Sequence, residues 1–173
     1  MEELKLSICV KYRKSTSGDT KEISKLFKSC FCDFNDYDKS YDNPVYELDG
    51  RYIVATVDGK IVGMTGVCYD KEKDMYSLDY ACVSPEYRNN GITEQLFSII
   101  IPMYEDKEIW FEAWRATWEE RAESLFKKFG FKQCKKAFKT YVKRFDKCSN
   151  CRYDKGADCM CESDLYVHEA LAN

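Results

Sequence analysis

The sequence predicts an α/β (α+β) fold in which a mixed, mostly antiparallel central sheet is flanked by helices. Residues 51 to 83 hold three β-rich runs separated by short charged or Asp-Gly turns, the pattern of an antiparallel meander. A loop, a helix-spaced segment and a fourth β-rich run, "EIWFEAW", follow, and a strand reached through a helix implies parallel pairing with the third. Apolar residues keep helical spacing at Ile23, Leu26, Phe27 and Cys30, at Ile92, Leu96, Ile99, Ile100 and Met103, and at Ala122, Leu125, Phe126 and Phe129.

Taken in chain order, residues 4 to 12 alternate weakly and read as a first strand. After "SGD" a helix is expected over about 20 to 31, opened by a capping-box pair of Asp19 and Glu22. The segment "DFNDYDKSYDNP" mixes aspartates with Tyr and Asn up to Pro44, so it reads as a loop or a short irregular helix. Its acidity fits either a solvated loop or a wall that draws in a cationic substrate. The three meander runs are "RYIVATV", "KIVGMTGVCY" and "MYSLDYACV", joined at Asp58-Gly59 and at "DKEKD". Pro102 should end or kink the next helix. Thr117 and Glu120 form a second capping box, and Gly130 stops the helix it opens. "FKQCKKAFKTYVKRF" reads as two final strands whose alternate basic residues form a solvated face. No aromatic and basic RNA-binding signature accompanies them.

At 173 residues the chain has the size of one domain with a real core. Apolar residues are 45%, charged residues 33% and the net charge is -3, which argues against a dedicated nucleic-acid binder. "MEELKLSICV" shows no cationic region leading into an apolar run, and "LFSIIIPMY" is about half a bilayer span, so a cytoplasmic protein is expected.

Of the ten cysteines, Cys9, Cys30, Cys32, Cys68, Cys82 and Cys134 lie in apolar surroundings and read as small buried hydrophobes. The other four, Cys148, Cys151, Cys159 and Cys161, stand in "CSNCRYDKGADCMC". Four thiolates are what a closed tetrahedral zinc site requires, while free or redox-active thiols and disulfides are the alternatives. From Asp146 the texture is polar and Cys-rich, which sets 146-173 apart as a tail behind a domain at 1-145.

The run "VSPEYRNNGIT" feeds a strand into a helix. The helix start presents unpaired N–H groups and partial positive charge, Gly91 leaves the main chain open to approach, and Arg88 adds a full charge. These features suit an anion site, and equally a plain strand-to-helix turn, where a single glycine is common. The run lacks the Gly-Lys-Ser/Thr ending of a triphosphate loop and the three glycines of a dinucleotide fold.

The element order, together with this run and "RAESLFKKFGF", resembles the GNAT superfamily of acetyl-CoA-dependent N-acetyltransferases over about residues 5 to 145. The resemblance implies that the N–H groups of Asn89, Asn90, Gly91, Ile92 and Thr93, with Arg88 alongside, bind the pyrophosphate of acetyl-CoA. It implies that the backbone at Cys82 and Val83 orients the pantetheine and polarises the thioester carbonyl. Three residues depart from the pattern. Thr93 replaces a usual Gly or Ala, Glu119 falls near a usual Asn, and Phe126 takes the place of a Tyr that protonates the departing thiolate.

On this reading acetyl passes directly from acetyl-CoA to a primary amine of a small cationic molecule or of a protein. Asp79 and Glu112, carboxylates within apolar strands, are the candidate bases, because burial would raise their pKa towards the useful range. A catalytically weak CoA-binding regulatory module is the alternative, and a nucleic-acid modifier using the basic 127 to 147 region is a third. Neither membrane nor nucleic acid is an expected partner, and a homodimer is left open.

Overall fold

The computed structural model describes residues 8–31, 52–115, 121–138 and 162–171. Strand β1 covers Lys11–Lys14, three residues before a 3-10 turn at Ser17–Asp19 that runs into helix α1, Thr20–Phe31. The helix falls where its apolar spacing placed it. Its start differs: the capping box joins Thr16 and Asp19, and Asp19 turns away from Glu22 to take a bidentate ion pair from Arg13 at 2.7 and 2.8 Å. Glu22 instead accepts from the Ile61 N–H at 3.2 Å, tying α1 to the sheet.

The meander forms as read: β2 at Tyr52–Val57, β3 at Lys60–Asp70 and β4 at Met75–Val83, each antiparallel to the next. Asp58 and Gly59 both have positive φ, 48° and 81°, the conformation that suits a two-residue hairpin turn. Helix α2, Ile92–Ile100, is followed by a 3-10 turn at Ile101–Tyr104 holding Pro102, then by β5 at Ile109–Arg115. β5 runs parallel to β4, as a strand reached through a helix should. Helix α3 is Arg121–Lys128 and β6 is Lys132–Phe138.

The last strand, β7 at Glu162–His168, corrects the expected boundary at residue 145. It lies between β5 and β6 and is antiparallel to both, giving the order β1-β2-β3-β4-β5-β7-β6. β7 therefore belongs to the same sheet as the other described strands. Tyr166 and Val167 are buried within it.

β2 is buried along its whole length because both its faces are covered. Ile53, Ala55 and Val57 point to the side of α2 and α3, packing with Leu96, Phe97, Phe126 and Phe131. Tyr52 and Val54 point to the other side, with Ile23 and Leu26 of α1, Met64 and Cys82. Period-2 alternation thus separates two cores on one strand.

Candidate functional site

β4 and β5 pair at Tyr76–Ile109 and Ser77–Trp110, at the N-terminal end of each. Beyond that the two strands continue to Val83 and Arg115 with no further ladder pair among the described residues. On its other side β4 stays paired to β3, with Cys82 opposite Met64 and Asp79 opposite Gly66. Between these pairs β3 has one residue, Thr65, and β4 has two, Tyr80 and Ala81, so β4 carries one extra residue, a bulge. Bulges re-aim side chains and end pairing, and this one lies where β4 leaves β5.

The loop after β4 is built from short main-chain bonds. Ser84 N–H donates to the Val62 oxygen at 2.8 Å and Tyr87 N–H to the Ser84 oxygen at 2.9 Å. Arg88 Nε donates to the Val83 oxygen at 3.2 Å, and Asn90 Nδ2 donates to the Tyr87 and Arg88 oxygens, both at 3.1 Å. Asn89 and Gly91 both adopt left-handed backbone, φ 65° and 72°, and residues 88 to 91 are exposed. A Cβ built on Gly91 would meet nothing within 4 Å, so open space lies directly over this stretch of main chain.

The first main-chain bond of α2 runs from Gln95 N–H to the Gly91 oxygen at 3.0 Å. The N–H groups of Ile92, Thr93 and Glu94 precede it and have no acceptor within the helix. Ile92 is 2% exposed, which anchors the helix start in the core. Gly63, a position sequence reasoning passed over, makes this approach feasible: a Cβ there would lie 3.0 Å from Ile92 Cγ2. Its signal was present, since an isolated Gly inside a strand pattern marks close approach. Glu94, whose charge would oppose an anion at this helix start, is paired to Lys128 of α3 at 2.6 Å. Unpaired N–H groups, a left-handed cradle and a cation fit a phosphate-bearing group.

The structure thus brings Cys82, Val83, Arg88, Asn89, Asn90, Gly91, Ile92 and Thr93 together at one strand-loop-helix junction. Phe126 lies elsewhere on the same side of the sheet, 4% exposed, its ring centroid 4.6 Å from Phe111, 4.8 Å from Tyr166 and 6.0 Å from Phe97. Asp79 sits on β4 at the bulge. Glu112 departs from expectation: it is exposed, opposite Leu165 of β7, so the burial expected of it is absent. Cys148, Cys151, Cys159 and Cys161, with Glu119 and the acidic 33 to 49 segment, lie outside the described residues. No group of three or more His, Cys, Asp or Glu among the described residues could hold a metal, so structural zinc gains no support. Nor is any helix among them long and apolar enough to cross a membrane.

Solved structures share this architecture. The ribosomal-protein-S18-alanine N-acetyltransferase of Escherichia coli superposes with a TM-score of 0.68 at 15% identity, over 95% of this chain and 97% of that one. The diaminobutyrate acetyltransferase of Paenibacillus lautus, solved with L-2,4-diaminobutyric acid and coenzyme A, gives 0.66 at 14% identity, over 96% and 98%. A GNAT-family acetyltransferase of Bacillus cereus gives 0.62 at 17% identity, over 95% and 99%. At these identities the likeness is one of fold. No curated protein matches the chain. The family model of the acetyltransferase (GNAT) domain matches residues 22–143, from α1 through β6, and the chain belongs to that family.

Proposed function

We propose that the protein is an N-acetyltransferase that moves acetyl from acetyl-CoA to a primary amine by direct transfer. The observation that carries this reading is the exposed stretch at residues 88 to 91, left-handed at Asn89 and Gly91, at the foot of α2. Acetyl-CoA supplies the acetyl group as a thioester, activated towards amines. The N–H groups of Asn89, Asn90, Gly91, Ile92 and Thr93 hold the diphosphate, and Arg88 adds charge beside them.

The main chain of Cys82 and Val83, on the stretch of β4 that β5 leaves unpaired, orients the pantetheine arm and polarises the carbonyl. Alignment of amine and thioester is the largest contribution, on the order of 7–11 kcal/mol in well-oriented systems. Asp79, on β4 beside the bulge, takes the ammonium proton, directly or through water. Phe126 offers a hydrocarbon surface and no proton. A thiol with a pKa of about 8.5 leaves tolerably as thiolate without a dedicated acid.

The acceptor is a small cationic molecule or a protein amine, and the names of the two acetyltransferases above span both classes. The acidic 33 to 49 segment, which follows α1 directly in the chain, favours the cation. The second reading, a CoA-binding module of low activity, has Phe126 in its favour, since the resemblance assigns the proton donor to this position and Phe126 has no hydroxyl.

Thiol release from acetyl-CoA across a panel of diamines, polyamines and peptide N-termini, run beside calorimetry with CoA, separates the readings. Binding with amine-dependent thiol release is expected. Binding without release selects the module, and no heat with CoA overturns both.

A further inference from the structure

Ser77 and Trp110 are the last pair of the β4–β5 ladder, and the same parallel register carried two residues further sets the position of Asp79 level with Glu112. The two positions flank the opening between the strands. Ile109 and Ala113 are buried in the core shared with α2, and Phe111 packs on it, so Trp110 and Glu112, which alternate with them, belong to the other face of β5. On that face α1 packs with Met64 of β3 and Cys82 of β4. Glu112 itself is exposed, and among the described residues no cation is paired with it. Trp110 is partly exposed, and its indole N–H donates to Glu108 Oε1 at 2.7 Å, which holds the ring at the fork.

We infer that Glu112 is a specificity-determining residue for a diamine acceptor, holding the ammonium at its far end while the near amine reacts. The inference rests on the acetyl-transfer reading, in which Asp79 takes the proton of the near amine. The strands stand about 5 Å apart where they pair and wider once they part, a gap that a chain of a few methylenes crosses. Trp110, beside Glu112 on the same face, offers that chain an aromatic surface and the far ammonium a cation–π attraction. The far ammonium keeps its proton and takes no part in the bond changes.

Two consequences separate this acceptor from the other amines. A peptide N-terminus followed by small neutral residues brings no second charge for Glu112. A diamine acetylated once has lost one of its two charges, so the monoacetylated product should accumulate.

The test compares putrescine with pentylamine, a monoamine of the same length, and with the N-terminus of trialanine, using thiol release from acetyl-CoA and mass spectrometry of the product. The expected kcat/KM for putrescine is about tenfold above that for pentylamine, in keeping with one charge-assisted contact at an exposed site, and the difference lies in KM. Added salt should narrow it, because the contact is exposed to screening. Glu112→Gln should remove the preference, and Glu112→Asp should restore part of it. Equal constants for putrescine and pentylamine in the wild type, a preference that survives in Glu112→Gln, or faster transfer to trialanine overturns the inference. Each of these outcomes still shows acetyl transfer, so the enzymatic reading stands; no thiol release with any amine overturns that reading and this inference with it.

Discussion

Arg88 Nε donates to the main-chain oxygen of Val83 over 3.2 Å, closing the cofactor loop back onto the strand it leaves. One guanidinium holds the loop and leaves its other donors for an anion. Arg88→Ala removes both the clip and the charge, and a charge-assisted hydrogen bond is worth about 1.5–3 kcal/mol. The expected outcome is a loss of CoA affinity of roughly 10- to 100-fold by calorimetry, with Tm nearly unchanged because residues 88 to 91 are exposed. Arg88→Lys should recover little, since an ammonium lacks the fork that serves two partners at once.

Gly91 separates a turn role from a binding role. A side chain at φ 72° strains the backbone, costing about 1 kcal/mol, yet Gly91→Ala brings its Cβ into contact with nothing. Thermal unfolding should therefore fall only slightly. CoA affinity should fall much further, about tenfold or more, because the new methyl fills the space above the amides of α2. Equal and small losses in both measurements would mark Gly91 as a turn residue alone.

Local signals were legible where the chemistry is local. Asp58-Gly59 announced a hairpin, and the run from Val83 to Thr93 announced a loop feeding a helix, because turn preferences and helix starts act over a few residues. β7 was missed for the opposite reason. "ESDLYVHEALAN" reads as a polar tail until Leu165 and Tyr166 find β5 residues more than fifty positions earlier, and strand preference depends on such partners. Asp19 shows the same limit at short range: a plausible box with Glu22 lost to Arg13, which the fold of β1 brought closer.

Tyr52 and Gly66 are cross-strand partners, and the ring lies on the glycine: a Cβ at Gly66 would stand 2.4 Å from Tyr52 Cδ1. Tyr52 is 1% exposed and cannot swing into solvent without opening the core beneath α1. Gly66→Ala should destabilise by about 1–3 kcal/mol in urea unfolding, the usual cost of overpacking. Adding Tyr52→Leu should make the alanine cheaper than it is alone. Strictly additive losses would show that ring and glycine do not meet in solution.

The ion pair of Arg13 with Asp19 predicts an acid-sensitive increment of stability. The Arg13 hydrogen bonds lead, with those from Thr16, in lowering the Asp19 carboxyl from 3.8 to about 2. A carboxyl lowered on folding stabilises fully above its unfolded value and loses that contribution as pH falls through the folded one. The window is thus about pH 4 down to about pH 2. Since Arg13 is 44% exposed, the discounted value is on the order of 1–2 kcal/mol. Wild type should exceed Asp19→Asn by that margin at pH 6 in urea unfolding, and the two curves should converge towards pH 2.

Asp79 and Glu112, equal candidates for the base on composition, are unequal in place. Glu112 is exposed and faces Leu165 across the β5–β7 ladder, whereas Asp79 lies on β4 beyond its last pair with β5 and next to the bulge. If Asp79 takes the ammonium proton, turnover rises with pH as its carboxylate forms. Asp79→Asn should flatten that limb and lower kcat by about 100-fold, the lower range for a positioned base, with CoA affinity intact. Glu112→Gln should keep both the limb and kcat within about twofold. Full pH profiles of the three proteins at saturating acetyl-CoA decide it: an unchanged limb in Asp79→Asn removes Asp79 as the base. A limb lost in Glu112→Gln instead would move the proton transfer to β5, where water would have to bridge an exposed carboxylate to the amine.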